Sequence, residues 1–169
     1  MEATAIWGTM AAPLHRRGPE GSTAPAAPSV RAIVLGDRPE VLSMLNALLR
    51  AEGAQIVEQS SDPRDLSEDA GTRADVVFIE AVGLHGSRWK DLLHDARRRV
   101  PEAPIVLVTR GPGRALDGPA RLEGADGLVP YPIQREALTQ VLTDLFPAVT
   151  FPPDKAHVSG AYAPPRTES

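Results

Sequence analysis

The residues able to do chemistry in this chain stand at the ends of short apolar runs. Ala74-Asp75-Val76-Val77-Phe78-Ile79-Glu80 reads as a strand and stops at one carboxylate, followed by Ala81-Val82-Gly83-Leu84-His85-Gly86. Arg31-Ala32-Ile33-Val34-Leu35 closes at Gly36-Asp37, and the run Pro104 to Val108 closes at Thr109. Open α/β sheets place ligands and reacting groups in such strand-end loops. Asp37, Glu80 and His85 are oxygen and nitrogen donors of the kind a divalent cation takes. A single loop histidine is nevertheless a weak metal signature, because metal histidines come with others at fixed spacing.

Other chemistries lack their parts. The chain has no cysteine, which removes disulfides, thiolate metal sites and cysteine nucleophiles together. Gly111-Pro112-Gly113 has neither the spacing nor the lysine of a phosphate-cradling loop. No Gly-x-Ser-x-Gly and no Ser/His/Asp arrangement is present, so nothing points to a hydrolase.

The elements that must position these residues alternate. Val76 to Ile79 is apolar at every position, which marks a strand buried on both faces, the central kind in a parallel sheet. After the first strand, Pro39 and Glu40 start a helix whose stripe is Val41, Leu45 and Leu48, with Leu42 and Leu49 beside it, and Gly53 stops it. Gln55 to Glu58 is a second strand, and Asp62-Pro63 opens a weak helix ending near Gly71. Trp89, Leu92, Leu93, Ala96 and Val100 mark a third helix, ended by Pro101. Arg97-Arg98-Arg99 in its last turn reads as a solvated helix end where cations meet the negative dipole, not as a nucleic-acid patch. Between Gly111 and Gly124, Gly111-Pro112-Gly113 and Asp117-Gly118-Pro119 leave room only for a short or kinked fourth helix. Gly127-Leu128-Val129 is the fifth strand, ending in Pro130-Tyr131-Pro132, and Leu138, Val141, Leu142 and Leu145 define a closing helix. Five strands alternating with five helices predict an α/β doubly wound parallel sheet, for which the order 2-1-3-4-5, flavodoxin-like, is the common one at this size.

At 169 residues the chain holds one domain. Its 17 prolines concentrate toward the ends. Residues 1–29, punctuated by Pro13, Pro19, Pro25 and Pro28, are too polar and proline-rich to repay their ordering entropy and are expected to be a disordered tail. Ile6, Trp7 and Met10 form a small apolar knot within it. Residues 30–147 are the domain, and 148–169 a second proline-rich tail. Acidic Glu2, Glu20, Asp154 and Glu168 balance basic Arg16, Arg17, Lys155 and Arg166 in the tails, so the net charge of −4 belongs to the domain. That charge offers no general attraction to nucleic acid or to an anionic membrane. With neither a membrane-length apolar run nor a signal-peptide pattern, a cytoplasmic protein is expected.

The segment from about 31 to 146 resembles a response-regulator receiver domain, the phospho-accepting module of bacterial two-component signalling. The resemblance puts the family's acidic pair on Gly36 and Asp37, its phosphorylated aspartate on Glu80 and its Thr/Ser after strand four on Thr109. Its Lys-Pro after strand five falls on Tyr131-Pro132, and its switch aromatic on Leu128. Ala125-Asp126-Gly127 follows the pattern usual before strand five. An X-Pro bond in such a tight turn is expected to be cis.

The resemblance also implies what is missing. One acid of the pair is glycine, which leaves Asp37 and Glu80 as the charged metal ligands, and Mg²⁺ needs near-octahedral oxygens. Glu80 is one methylene longer than aspartate, and a misplacement of about 1 Å can cost about 100-fold. Tyr131 supplies no cation for developing phosphoryl charge; it is expected to be a half-buried plug of the former phosphate pocket. The expectation is therefore a pseudo-receiver: not an enzyme, with no cofactor, Mg²⁺ included. Glu80 has three open readings: a solvated strand-end residue, a permanent mimic of the phosphorylated state, or a ligand of a cation shared with Asp37 and His85. Thr109 either hydrogen-bonds Glu80 or merely ends its strand. Function would then lie in binding a protein, such as a histidine kinase, another regulator, a localisation complex or a second copy in a homodimer. By resemblance, the binding face is formed by the fourth helix, the fifth strand and the closing helix. The alternatives are an atypical receiver still accepting phosphate or Mg²⁺, and a small-ligand sensor using the vacated pocket.

Overall fold

Successive side chains of a strand point to opposite faces, so a run that is apolar at every position can feed two cores at once. In the computed structural model, which describes residues 29–84, 87–110, 120–121 and 123–151, the segment β3 (Val76–Glu80) does this. Val76 and Phe78 enter one core with Val41, Leu45 and Leu49 of α1 (Pro39–Ala51) and with Leu138 and Leu142 of the closing helix (Arg135–Leu145). Val77 and Ile79 enter the other with Trp89, Leu93 and Ala96 of α3 (Arg88–Arg99). Phe78 is fully buried, a gain of roughly 1.5–3 kcal/mol from its apolar surface alone.

The sheet is completed by β1 (Arg31–Leu35), β2 (Gln55–Ser60), β4 (Ile105–Arg110) and β5 (Gly127–Tyr131). Its order is β2-β1-β3-β4-β5 with every pairing parallel, as predicted. Glu80 lies opposite Val108, and Thr109 opposite Pro130, so the strand-end residues share one edge. Gly53 ends α1 in the left-handed region at φ 80°. No helix among the described residues is long and apolar enough to cross a membrane.

Three local expectations change. The weak helix predicted from Asp62 to Gly71 is a 3-10 turn (Pro63–Asp65) and a single helical turn, α2 (Ala70–Arg73). The Asp62 carboxylate accepts from the Arg64 N–H at 2.8 Å, and the Glu58 carboxylate accepts from the Ser67 N–H and hydroxyl at 2.8 and 2.6 Å. The Asp62 bond caps the 3-10 turn at its start, while the Glu58 bonds hold Ser67 just past Leu66, which is extended at φ −64° and ψ 142°, so the helix does not continue. The run Arg97-Arg98-Arg99 is not simply solvated: the Arg97 guanidinium donates to the carbonyls of Ala103 and Gly124 and to the Asp126 carboxylate. It thereby ties α3 to the start of β5. Finally, Val149 and Phe151 pack on the α1-side core, so packed chain reaches beyond residue 147. The apolar knot of Ile6, Trp7 and Met10, His85, the stretch Gly111 to Pro119 and the chain beyond Phe151 lie outside the described residues.

Candidate functional site

The carboxyl-terminal edge of the sheet is assembled from the turns after β1, β3, β4 and β5. After β1 the chain runs Gly36-Asp37-Arg38 into α1. The Gly36 N–H donates to the Ser60 carbonyl at 2.9 Å, holding this turn against β2. Gly36 also permits a close approach: a Cβ there would lie 2.6 Å from the Cβ of Glu80 and 3.0 Å from a Leu42 methyl. Asp37 is exposed. Arg38 is the N-cap of α1 in extended conformation, and its side chain makes no capping hydrogen bond. It crosses the edge instead.

Glu80 is where the solvated reading fails. Its side chain is 1% exposed. The Val82 N–H donates to Glu80 Oε1 at 2.8 Å, curling the carboxylate back onto its own turn. That turn is tight, with the Ala81 N–H donating to the Val108 carbonyl at 2.8 Å and the Leu84 N–H to the Ala81 carbonyl at 3.2 Å. Above it, Arg38 Nε stands 3.9 Å from Glu80 Oε1. The guanidinium lies directly on Gly83, where an added Cβ would overlap Nη2, Cζ and Nε at 1.8, 2.2 and 2.4 Å. Glu80 is buried because a backbone donor and an arginine cover it, which the strand pattern could not reveal.

The remaining predicted positions sit around this pair without joining it. Thr109 is buried, yet its hydroxyl has no hydrogen-bond partner among the described residues, so of its two readings the bond to Glu80 is not formed. The Tyr131-Pro132 peptide is cis. Tyr131 is half-buried and packs on the α1-side core, while Leu128 packs on the α3-side core. Arg110, at the exposed end of β4, is in register with Tyr131. His85, offered as a third cation ligand, lies outside the described residues.

These donors do not fit Mg²⁺. Gly36 contributes no side-chain oxygen, Asp37 is exposed, and Glu80 Oε1 is already bonded to an N–H and faced by a cation. Among the described residues no three histidine, cysteine, aspartate or glutamate side chains gather in one place. The residues that sequence reasoning missed are Arg38, which precedes the helix start at Pro39 and has no role in that reading, and Gly83, noted only within the stretch after Glu80. A signal was present: a cation directly follows Gly36-Asp37, in the loop that carries acids in the resembled family.

No protein-family model and no curated protein matches the chain. Solved structures do match it. A protein of Burkholderia pseudomallei described as pilus assembly-related is similar at a TM-score of 0.60 and 16% identity, over 72% of this chain and 92% of its own. A response-regulator receiver domain protein of Clostridium thermocellum is similar at 0.57 and 18%, over 70% of this chain and 95% of its own. The chemotaxis response regulator CheY4 of Vibrio cholerae is similar at 0.56 and 18%, over 70% of this chain and 99% of its own. With the sheet order and both helical layers in agreement, the chain has the response-regulator receiver fold.

Proposed function

We propose that this chain is a non-phosphorylatable receiver-fold module that acts by binding a protein partner in two-component-type signalling. The observation that carries the reading is the state of Glu80. A phosphoryl acceptor needs a carboxylate oxygen open to in-line approach, and small misplacements are costly. Here the carboxylate is 1% exposed, engaged by the Val82 N–H and roofed by Arg38. Glutamate replaces aspartate, glycine replaces one acid, and Tyr131 brings no cation. The reading therefore includes no enzymatic activity and no cofactor.

Output would come from a surface whose shape is set by the sequence rather than by phosphate. The face built on β5 and the closing helix suits this. Arg135, Glu136, Thr139, Gln140 and Thr143 line an open groove along that helix, where these polar side chains present mostly their apolar stems to a partner. A histidine kinase, another regulator or a localisation complex are the partner classes. A pilus-assembly setting is the first to try, because proteins with this fold from Burkholderia pseudomallei and Burkholderia thailandensis bear that description.

The test is intact mass after incubation with acetyl phosphate and Mg²⁺, paired with an amide-correlation NMR titration with beryllofluoride. The expected result is an unchanged mass and a silent edge. A mass gain of one phosphoryl group mapping to Glu80 would overturn the reading.

A further inference from the structure

The substitutions at this edge are more than losses, because together they form a cradle. We propose that the Arg38 guanidinium is the resident cation of the edge, seated in cis where a receiver-fold acid cluster would otherwise gather a divalent ion. This inference rests on the reading above and adds what fills the site.

Three observations support it. Glu80 is a buried carboxylate, and such a charge is kept in a fold only when paired or hydrogen-bonded. Its described partners are one backbone N–H and the Arg38 guanidinium. Second, the guanidinium rests in space that exists only because residue 83 lacks a Cβ; any other side chain there would displace it. Third, Gly36 lets the end of β1 close onto Glu80 and Leu42, which brings the root of Arg38 within reach of the carboxylate. Gly36, Arg38, Glu80 and Gly83 thus act as one set. Arginine suits this seat because its charge is permanent and its flat head stacks against a bare backbone, whereas a lysine would offer a point charge without the plane. The seat spans the β1–α1 and β3–α3 turns and holds them in one arrangement without an exchangeable ion.

The consequence concerns cations. With Arg38 in place, positive charge already faces Glu80 and stands next to Asp37, so a divalent ion is repelled. Removing it leaves two carboxylates at a sheet edge without that cation. The experiment uses the full chain and Mn²⁺ as the probe, read by paramagnetic broadening of the Asp37, Glu80 and Val82 amides. Arg38→Ala should reach half-broadening at a Mn²⁺ concentration at least several-fold lower than the wild type; equal concentrations would overturn the proposal. Gly83→Ala, which pushes the guanidinium off its seat while leaving the charge in the loop, should lower Tm by as much as Arg38→Ala does. The double variant should lower it no further. Additive losses, or no loss in either single variant, would also overturn the seat. Arg38→Lys should recover the low Mn²⁺ affinity but not the Tm. Mass after acetyl phosphate, measured on the wild type alone, separates failure of this inference from failure of the parent reading.

Discussion

Replacing Arg135 with alanine should be among the more damaging single changes available on the proposed binding face. Glu52, the C-cap of α1, has a fully buried side chain, and Arg135 Nε donates to its Oε1 at 2.5 Å. Each charge is at the wrong end of its own helix. Glu52 adds negative charge to the carboxyl end of α1, and Arg135 adds positive charge to the amino end of the closing helix, where the macrodipole opposes both. The pair offsets both faults and pins the two helices together. Glu52 Oε2 already lacks a hydrogen-bond partner among the described residues, so losing Arg135 would strand the carboxylate in the core. Breaking a buried pair in this way costs roughly 3–5 kcal/mol. Arg135 is 28% exposed and water can reach the gap, so we expect less than that, about 2–3 kcal/mol, still a large share of a domain's stability. In urea that is a midpoint shift of about 1–1.5 M at an unchanged slope, for a slope near 2 kcal/mol/M. Arg135 makes further interactions, so a cycle with Glu52→Gln and the double variant is needed to isolate the pair. Glu52→Gln alone should cost about 1 kcal/mol, since it keeps an acceptor and removes the charge. A loss under about 0.5 kcal/mol for Arg135→Ala, or strict additivity in the cycle, would refute the idea that burial makes this contact matter.

Three further outcomes are expected. Thr109→Val exchanges a buried hydroxyl that has no partner among the described residues for a methyl of similar shape. It should be neutral or stabilising by up to about 1 kcal/mol in urea unfolding, where a clear destabilisation would reveal a bond that Thr109 makes. Gly36→Asp restores the family's acid but crowds Glu80 and Leu42, so it should lower stability by about 1–3 kcal/mol, with Gly36→Ala showing most of the same loss; a neutral Gly36→Ala would mean the turn opens freely. Hydrogen bonds from Arg31, at 2.8 to 3.1 Å, hold the Asp75 carboxyl below its usual 3.8 against the opposing effect of burial. Because the folded value is depressed, that contribution is complete above about pH 4 and is lost as pH falls below it through the folded value. Asp75→Asn should therefore flatten the acid limb of the stability curve; an acid limb identical to that of the wild type would contradict this.

Much of the fold was legible in the sequence because its signals are local. Val76 to Ile79 is apolar at each position, and only a central strand between two helical layers uses all of them. Pro39, Gly53 and Pro101 punctuate helices through backbone constraints that hold in any context. Where side chains compete with the backbone the reading failed. Glu58 interrupts the helix that Asp62-Pro63 starts, through bonds to Ser67 that no periodicity announces.

The identity of the edge residues was equally legible: glycine at 36, glutamate at 80 and tyrosine at 131 are facts of the sequence, and the resemblance gave them meaning. What those residues do with one another was decided by tertiary structure alone. Arg38 and Glu80 are far apart in the chain, and meet because parallel strands bring β1 and β3 to the same edge. The direction taken by a long side chain leaving a loop depends on the space around it, which here is made by two missing Cβ atoms. The burial of Glu80, the buried hydroxyl of Thr109 and the pairing of Glu52 with Arg135 share that origin. Sequence determined which groups are present at this edge, and packing determined that they face each other.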